Sequence, residues 1–161
     1  MCDVISCYSS ICVLTFRLSC FIFQIIEMET QILRTLEYKI TQPSAHTFLV
    51  RYLKAGHADR ETTHLACYLL DGTLHSYAML NYLPSQLAAA SVFLARHATG
   101  RHPWSPTLLE YAEYTQEEVA PVARALLEEK SAASPDLNSV NKKYSSHRFS
   151  NVASKPLTFD F

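Results

Sequence analysis

The chain has 161 residues, of which 48% are hydrophobic and 18% charged, a composition that fits one packed domain plus a tail and argues against global disorder. Lys and Arg number 14 against 15 Asp and Glu, a balance without the broad basic field that nucleic-acid backbones favour, so we expect no nucleic-acid partner. Three glycines are too few for a Gly-rich phosphate loop or a turn-dense all-β fold.

The first 26 residues differ in composition from everything that follows. Residues 11–26 form a mostly apolar run, but Arg17 interrupts it and no Lys or Arg precedes it. A secretory signal needs a basic start, and a membrane span needs about 20 apolar residues. We therefore expect residues 1–26 to be a segment that does not belong to the domain, and we expect no membrane partner.

The helical pattern begins at Glu27 and predicts a short amphipathic helix from Met28 to Tyr38. Thr41-Gln42-Pro43 should stop this helix, because the residue before a proline disfavours the α region. Ser44 can then cap a second helix that ends at Gly56.

A third helix is predicted from an Asp59 cap to about His75. Gly72 lies inside it and is expected to mark close packing with a neighbour. The apolar stripe of this helix is Leu65, Ala66, Leu69, Leu70 and Leu74.

The fourth helix begins at Pro84 and is apolar on nearly all sides, which is typical of a central core helix. Ser105-Pro106 starts a short fifth helix, and the Thr115–Glu118 spacing predicts a capping box at the start of the last main helix. The sequence therefore predicts an all-α fold in which the helix at 28–38 precedes a bundle of five helices. A polar, weakly structured tail over 133–161 follows, with one further helical turn at 140–144.

Residue chemistry gives no indication of catalysis. His64 and Cys67 share a helix face, but no second pair completes a zinc site, and we expect Cys67 to be buried. The five cysteines are odd in number, and their spacing matches neither a zinc site nor a disulfide framework. We therefore expect all five to be free thiols in a reducing compartment. We expect no enzyme, cofactor, metal or small-molecule substrate. Ser105 and Ser134 precede prolines and are minimal phosphorylation motifs, with Ser134 the better placed.

Six segments resemble the mitotic cyclins of the A and B types when they are read in chain order. They are Glu-Met-Glu-Thr-Gln-Ile-Leu-Arg-Thr-Leu at 27–36, Thr-Phe-Leu-Val-Arg-Tyr at 47–52, Tyr-Leu-Pro-Ser-Gln-Leu-Ala-Ala-Ala at 82–90, Trp-Ser-Pro-Thr-Leu at 104–108, Tyr-Thr at 114–115 and Asn-Lys-Lys-Tyr-Ser-Ser at 141–146. The Pro-Ser-Gln-Leu-Ala-Ala run makes the resemblance closer to the B type.

Mitotic cyclins carry two five-helix boxes. The resemblance implies that residues 27–40 are the last helix of a first box whose remainder is missing, as in a truncated product or an alternative gene model. Residues 41–132 would be the C-terminal box. The resemblance also implies a cyclin-dependent protein kinase as partner, bound through Glu29, Leu33, Tyr38 and Ile40, and a location in the nucleus and cytoplasm.

Three interpretations follow from the resemblance and from the residues together. In the favoured one, the chain is a cell-cycle regulator whose kinase binding is weakened, because a lysine of the family's first box and the substrate-docking patch have no counterpart here. In the second, the chain is an α-helical protein-interaction module, or a non-functional isoform, without kinase activation. In the third, residues 4–26 tether it to a membrane.

Overall fold

The computed structural model describes residues 21–132 and 138–154, which belong to two compact units that meet in sequence between Gln42 and Pro43. All regular structure within these ranges is helical, and this confirms the predicted all-α class.

The first unit contains helix α1, which covers residues 21–35. The sequence predicts a helix over 28–38, so the observed helix includes residues from the segment that was expected to be separate. It also ends earlier, because Glu37 and Tyr38 take left-handed φ values of 50° and 58°. The amide of Tyr38 donates to the carbonyl of Leu33 at 2.9 Å, which closes the last turn.

The second unit is a helical bundle in which the five predicted helices are all present. Six α-helices and three short 3₁₀ segments form its described part. The α-helices are α2 (Ala45–Ala55), α3 (Arg60–Thr73), α4 (Pro84–Ala98), α5 (Pro106–Ala112), α6 (Gln116–Ala132) and α7 (Ser139–Tyr144), and the 3₁₀ segments are Ala78–Asn81, His147–Phe149 and Val152–Ser154.

The predicted caps form at three of the four helix starts for which the sequence suggested one. The expectation for Ser44 is wrong, because its side chain makes no capping hydrogen bond to α2 and its hydroxyl lies 3.2 Å from the Thr47 hydroxyl instead. The Asp59 carboxylate accepts a hydrogen bond from the Thr62 amide at 3.0 Å, and the Ser105 hydroxyl caps α5 in the same way. At α6, the Thr115 amide donates to a Glu118 carboxylate oxygen at 2.8 Å and the Glu118 amide donates back to the Thr115 hydroxyl at 3.4 Å. This reciprocal pair is the predicted capping box.

Helix α4 lies at the centre of the bundle and contacts α2, α3 and α6. Every residue from Leu87 to Arg96 is buried, as the apolar pattern predicted. Ala88, Ala89 and Ala90 have no exposed surface, so neighbouring helices can approach the α4 backbone closely.

Arg96 is a buried cation at the end of α4 that the sequence reading did not single out. Its side chain is 7% exposed. One guanidinium nitrogen, Nη1, donates to the Gly56 carbonyl at 2.7 Å, and Nε donates to the His102 carbonyl at 2.9 Å. Burial, with a smaller effect of Arg101, lowers the Arg96 pKa. Arg96 therefore joins the end of α2 to the loop that follows α4.

Two expectations about α3 are wrong. Leu74 is 83% exposed, because α3 ends at Thr73 and the chain turns away before Leu74 can continue the buried stripe. Gly72 does not mark close packing, since a Cβ placed there would have no other heavy atom within 4 Å. Gly72 instead lines an open cavity between α3, α6 and α7.

The described part of the tail, 138–154, is packed rather than weakly structured. Helix α7 confirms the predicted turn near Val140, and α7 and the 3₁₀ segment Val152–Ser154 both contact α3. Tyr144 is 3% exposed and Val152 is fully buried. These apolar side chains fix a segment whose polar composition had suggested little structure.

Candidate functional site

Glu29 and Leu33 lie on the same side of α1, because residues four apart on a helix are neighbours. Glu29 is exposed and Leu33 is partly exposed. Both line an open apolar depression of the first unit, together with Phe21, Ile25 and Ile32. A carboxylate at the edge of an apolar strip can combine one charged contact with hydrophobic burial in a partner.

Two threonine side chains of α1 hydrogen-bond to carbonyls of the helix itself. The Thr30 hydroxyl donates to the Ile26 carbonyl at 2.9 Å, and the Thr35 hydroxyl donates to the Gln31 carbonyl at 2.8 Å. These bonds satisfy the hydroxyl donors of both threonines within the helix.

Tyr38 and Ile40 follow α1 and are 63% and 61% exposed. Tyr38 is held in its left-handed conformation by the turn after α1. The structure thus presents all four residues expected to contact a kinase on the first unit, two on one face of α1 and two in the segment after it. Which partner they contact stays a prediction.

Cys67 is partly exposed rather than buried as expected. Burial raises the pKa of the half-buried Cys67 thiol, and the nearby Asp71 carboxylate raises it further, which disfavours the reactive thiolate. Burial lowers the pKa of His64, whose Nδ1 lies 3.1 Å from the Ser150 hydroxyl and whose ring meets Phe149 edge-on. His64 therefore helps to hold the C-terminal segment against α3.

The other free-thiol assignments, at Cys2, Cys7, Cys12 and Cys20, lie outside the described residues, as does Ser134. Within the described ranges, no three His, Cys, Asp or Glu side chains come close enough to hold a metal ion. None of the helices in those ranges combines the length and the apolarity that a bilayer crossing demands.

Asp71 anchors the C-terminal segment to α3. Its carboxylate accepts from the Lys143 ammonium at 2.8 Å and from the Tyr144 hydroxyl at 2.9 Å. The Tyr144 ring packs between the rings of Tyr68 and Phe149, with centroid separations of 5.5 and 4.9 Å. The spacing of Val140, Tyr144, Phe149 and Val152 was the available sequence signal for this packing.

Comparison with known proteins gives a consistent family match. Residues 43–157 match the family described as "Cyclin, C-terminal domain". Cyclin-A1-2 of Arabidopsis thaliana is 37% identical over 142 residues, which is 82% of this chain and 32% of that protein. Cyclin-B2-1 of Oryza sativa subsp. japonica is 36% identical over 128 residues, 78% of this chain and 30% of that protein.

A fungal relative shows the same relationship. G2/mitotic-specific cyclin-3 of Saccharomyces cerevisiae is 36% identical over 125 residues, 78% of this chain and 29% of that protein. The matches thus include both A-type and B-type proteins at almost equal identity. The chain spans about a third of the length of these relatives.

Proposed function

Because this chain belongs to the cyclin family, through the family's C-terminal domain, we propose that it acts in cell-cycle control by binding a cyclin-dependent Ser/Thr kinase. The observation that carries the proposal is the family match over residues 43–157. The name of the fungal relative, a G2/mitotic-specific cyclin, supports a mitotic role. We also propose that the chain is present in the nucleus and the cytoplasm, where such a kinase would meet it.

The proposed kinase contact is the surface formed by Glu29, Leu33, Tyr38 and Ile40. Glu29 supplies a negative charge for a basic group of the kinase, and the three apolar side chains supply area to bury. A standard protein interface buries about 800 Å² on each partner. One helix and the short segment after it provide only part of such an area, so binding by this 161-residue chain should be weaker than binding by a two-box cyclin.

The proposed role is positional and involves no chemistry by the chain itself. A bound regulator of this kind shifts a kinase toward its active state by holding the mobile helix and the activation loop in place. The shift is limited by the difference in affinity for the two states. Weak binding should therefore give weak activation.

A capture experiment with purified components tests this proposal. The chain is immobilised and a cyclin-dependent kinase is passed over it, beside an immobilised two-box cyclin. We expect weak capture that Glu29→Lys and Leu33→Asp abolish, and that Gln31→Lys, a change at another exposed position of α1, leaves unchanged. Capture as strong as that by the two-box cyclin would refute the weakened binding, and indifference to Glu29→Lys would refute the proposed surface.

A second candidate function, a protein-interaction module without kinase activation, is favoured by one observation. Three large apolar side chains after α3, Leu74, Tyr77 and Leu80, are 83%, 90% and 73% exposed. Large exposed apolar patches mark interaction surfaces or cause self-association. Light scattering of the wild-type chain and of a Leu74→Ser/Tyr77→Ser variant tests it, and equal masses for both would argue against the module.

A further inference from the structure

A groove between α2 and α5 carries positive charge that the described part of the chain does not neutralise. Its lining includes Arg51 and Lys54 of α2 and His57 just beyond it, and the opposite side is Thr107 and Tyr111 of α5. All five are exposed. Within the described ranges no Asp or Glu lines the groove, and α2 contains no acidic residue.

Arg51 and Lys54 are neighbours on α2, and neither has a carboxylate partner among the residues that the structure describes. They lie three positions apart on α2. The ion pairs found among the described residues are elsewhere and join Glu37 to Lys39, Asp59 to Arg101 and Asp71 to Lys143. Like charges at this helical spacing destabilise a helix by a few tenths of a kcal/mol. The position of Lys54 in the last turn of α2 offsets part of this cost through the helix dipole, but the same effect does not extend to Arg51.

The groove is preorganised by an aromatic contact. The Arg51 guanidinium carbon lies 5.6 Å from the centre of the Tyr111 ring, a cation–π arrangement that restrains the side chain and leaves its charge uncompensated. The nearest acidic group along the chain, Asp59, is already engaged, because it caps α3 and pairs with Arg101 at 3.2 Å. Glu110 and Glu113 flank Tyr111 in the chain, but neither lines the groove and neither forms one of the ion pairs found among the described residues.

We propose that this α2–α5 groove binds a short acidic segment of a partner protein, with carboxylates placed on Arg51 and Lys54. The apolar part of the groove, Val50 at 37% exposure and Tyr111 at 45%, favours a segment in which an apolar side chain adjoins the acidic ones. Two neighbouring cations on a chain of net charge −1 form too narrow a field for a nucleic-acid backbone, which rewards an extended basic surface. This site is separate from the proposed kinase surface and does not depend on it.

Fluorescence polarisation with a labelled peptide of alternating Glu and Val tests the proposal on the full chain. We expect saturable binding that weakens at high salt, since the charges are exposed, and no binding of the Gln–Val peptide. The variant Arg51→Glu/Lys54→Glu should lose at least about tenfold in affinity. The control Lys39→Glu/Lys142→Glu changes the net charge equally and should lose less than about threefold.

Three results would overturn the inference. The first is that the Glu–Val peptide does not bind the wild-type chain. The second is that the two double variants lose the same affinity for the peptide. The third is that a single-stranded oligonucleotide binds the wild-type chain more tightly than the peptide does and that Arg51→Glu/Lys54→Glu abolishes this binding as well. The milder variant Arg51→Gln/Lys54→Gln repeats the test by removing the two positive charges without reversing them. Circular dichroism of every variant verifies that the helices are intact, so that a loss of affinity reports on the groove.

Discussion

Replacing Arg96 tests the polar contact that joins α2 to the end of α4. The guanidinium donates to the Gly56 and His102 carbonyls at 2.7 and 2.9 Å. A hydrogen bond that involves a charged group contributes about 1.5–3 kcal/mol. Losing both bonds and the buried stem in Arg96→Ala should therefore lower the free energy of unfolding by about 3–5 kcal/mol. Arg96→Lys keeps the charge but can satisfy one carbonyl, so it should cost about half as much.

The assay is urea unfolding followed by helical circular dichroism at neutral pH. Because small domains are stable by only about 5–15 kcal/mol, the loss in Arg96→Ala should move the midpoint strongly at an unchanged slope. Lys142→Ala, at an exposed position, is the control and should stay within about 0.5 kcal/mol of wild type. If Arg96→Ala matched this control, Arg96 would not hold the two elements together.

Three further changes have directions that the structure fixes. Gly72→Ala should stabilise the chain by about 0.5–1 kcal/mol in thermal or urea unfolding, because a Cβ there meets no atom within 4 Å and alanine favours the helix; destabilisation would mean that the site is tighter than described. Thr115→Ala removes the hydroxyl of the capping box and should cost about 0.5–2 kcal/mol by the same measurement, whereas an unchanged midpoint would deny the cap a role. Burial of Lys130, whose ammonium lies 3.7 Å from the centre of the Tyr68 ring, lowers its pKa from 10.5 to about 8. Between these two pH values the unfolded chain binds more protons than the folded chain, so the free energy of unfolding should rise with pH in that window. Lys130→Met should remove this rise relative to wild type, and an identical pH profile in the two proteins would contradict the burial.

The features that the sequence predicted well are those determined by neighbouring residues. The Asp59 cap and the Thr115–Glu118 box depend on groups three positions apart, so the residue types at those positions define them. The all-apolar pattern of α4 likewise indicates a central helix from the residues of that helix alone. These signals are local, and the bundle that they imply is the one observed.

The features that were missed depend on contacts between distant residues. Arg96 is buried because two carbonyls from other segments accept its hydrogen bonds, and a helical pattern gives no sign of them. The tail is ordered because Tyr144 reaches Asp71, which is 73 positions away in the chain. Leu74 had the spacing of a buried position, but the end of α3 was decided by the turn that follows it.

The candidate sites divide in the same way. The basic positions of α2 are visible as Arg51 and Lys54, three residues apart, but the Tyr111 ring that completes the groove comes from another helix. Glu29 and Leu33 share a face by their spacing alone. Their assignment to a kinase rests on the family resemblance, because neither charge nor burial at these positions names a partner.

A photocrosslinking experiment gives the sharpest test of the proposal that this cyclin-family chain docks on a kinase through one face of α1. A photoreactive phenylalanine analogue is placed at Leu33 or, in a second protein, at Gln31, and each is irradiated with a purified cyclin-dependent kinase. We expect a crosslink to the kinase from position 33 that unlabelled two-box cyclin competes away, and little crosslinking from position 31. Equal crosslinking from both positions, or none from position 33 at concentrations where the two proteins associate, would contradict the proposal.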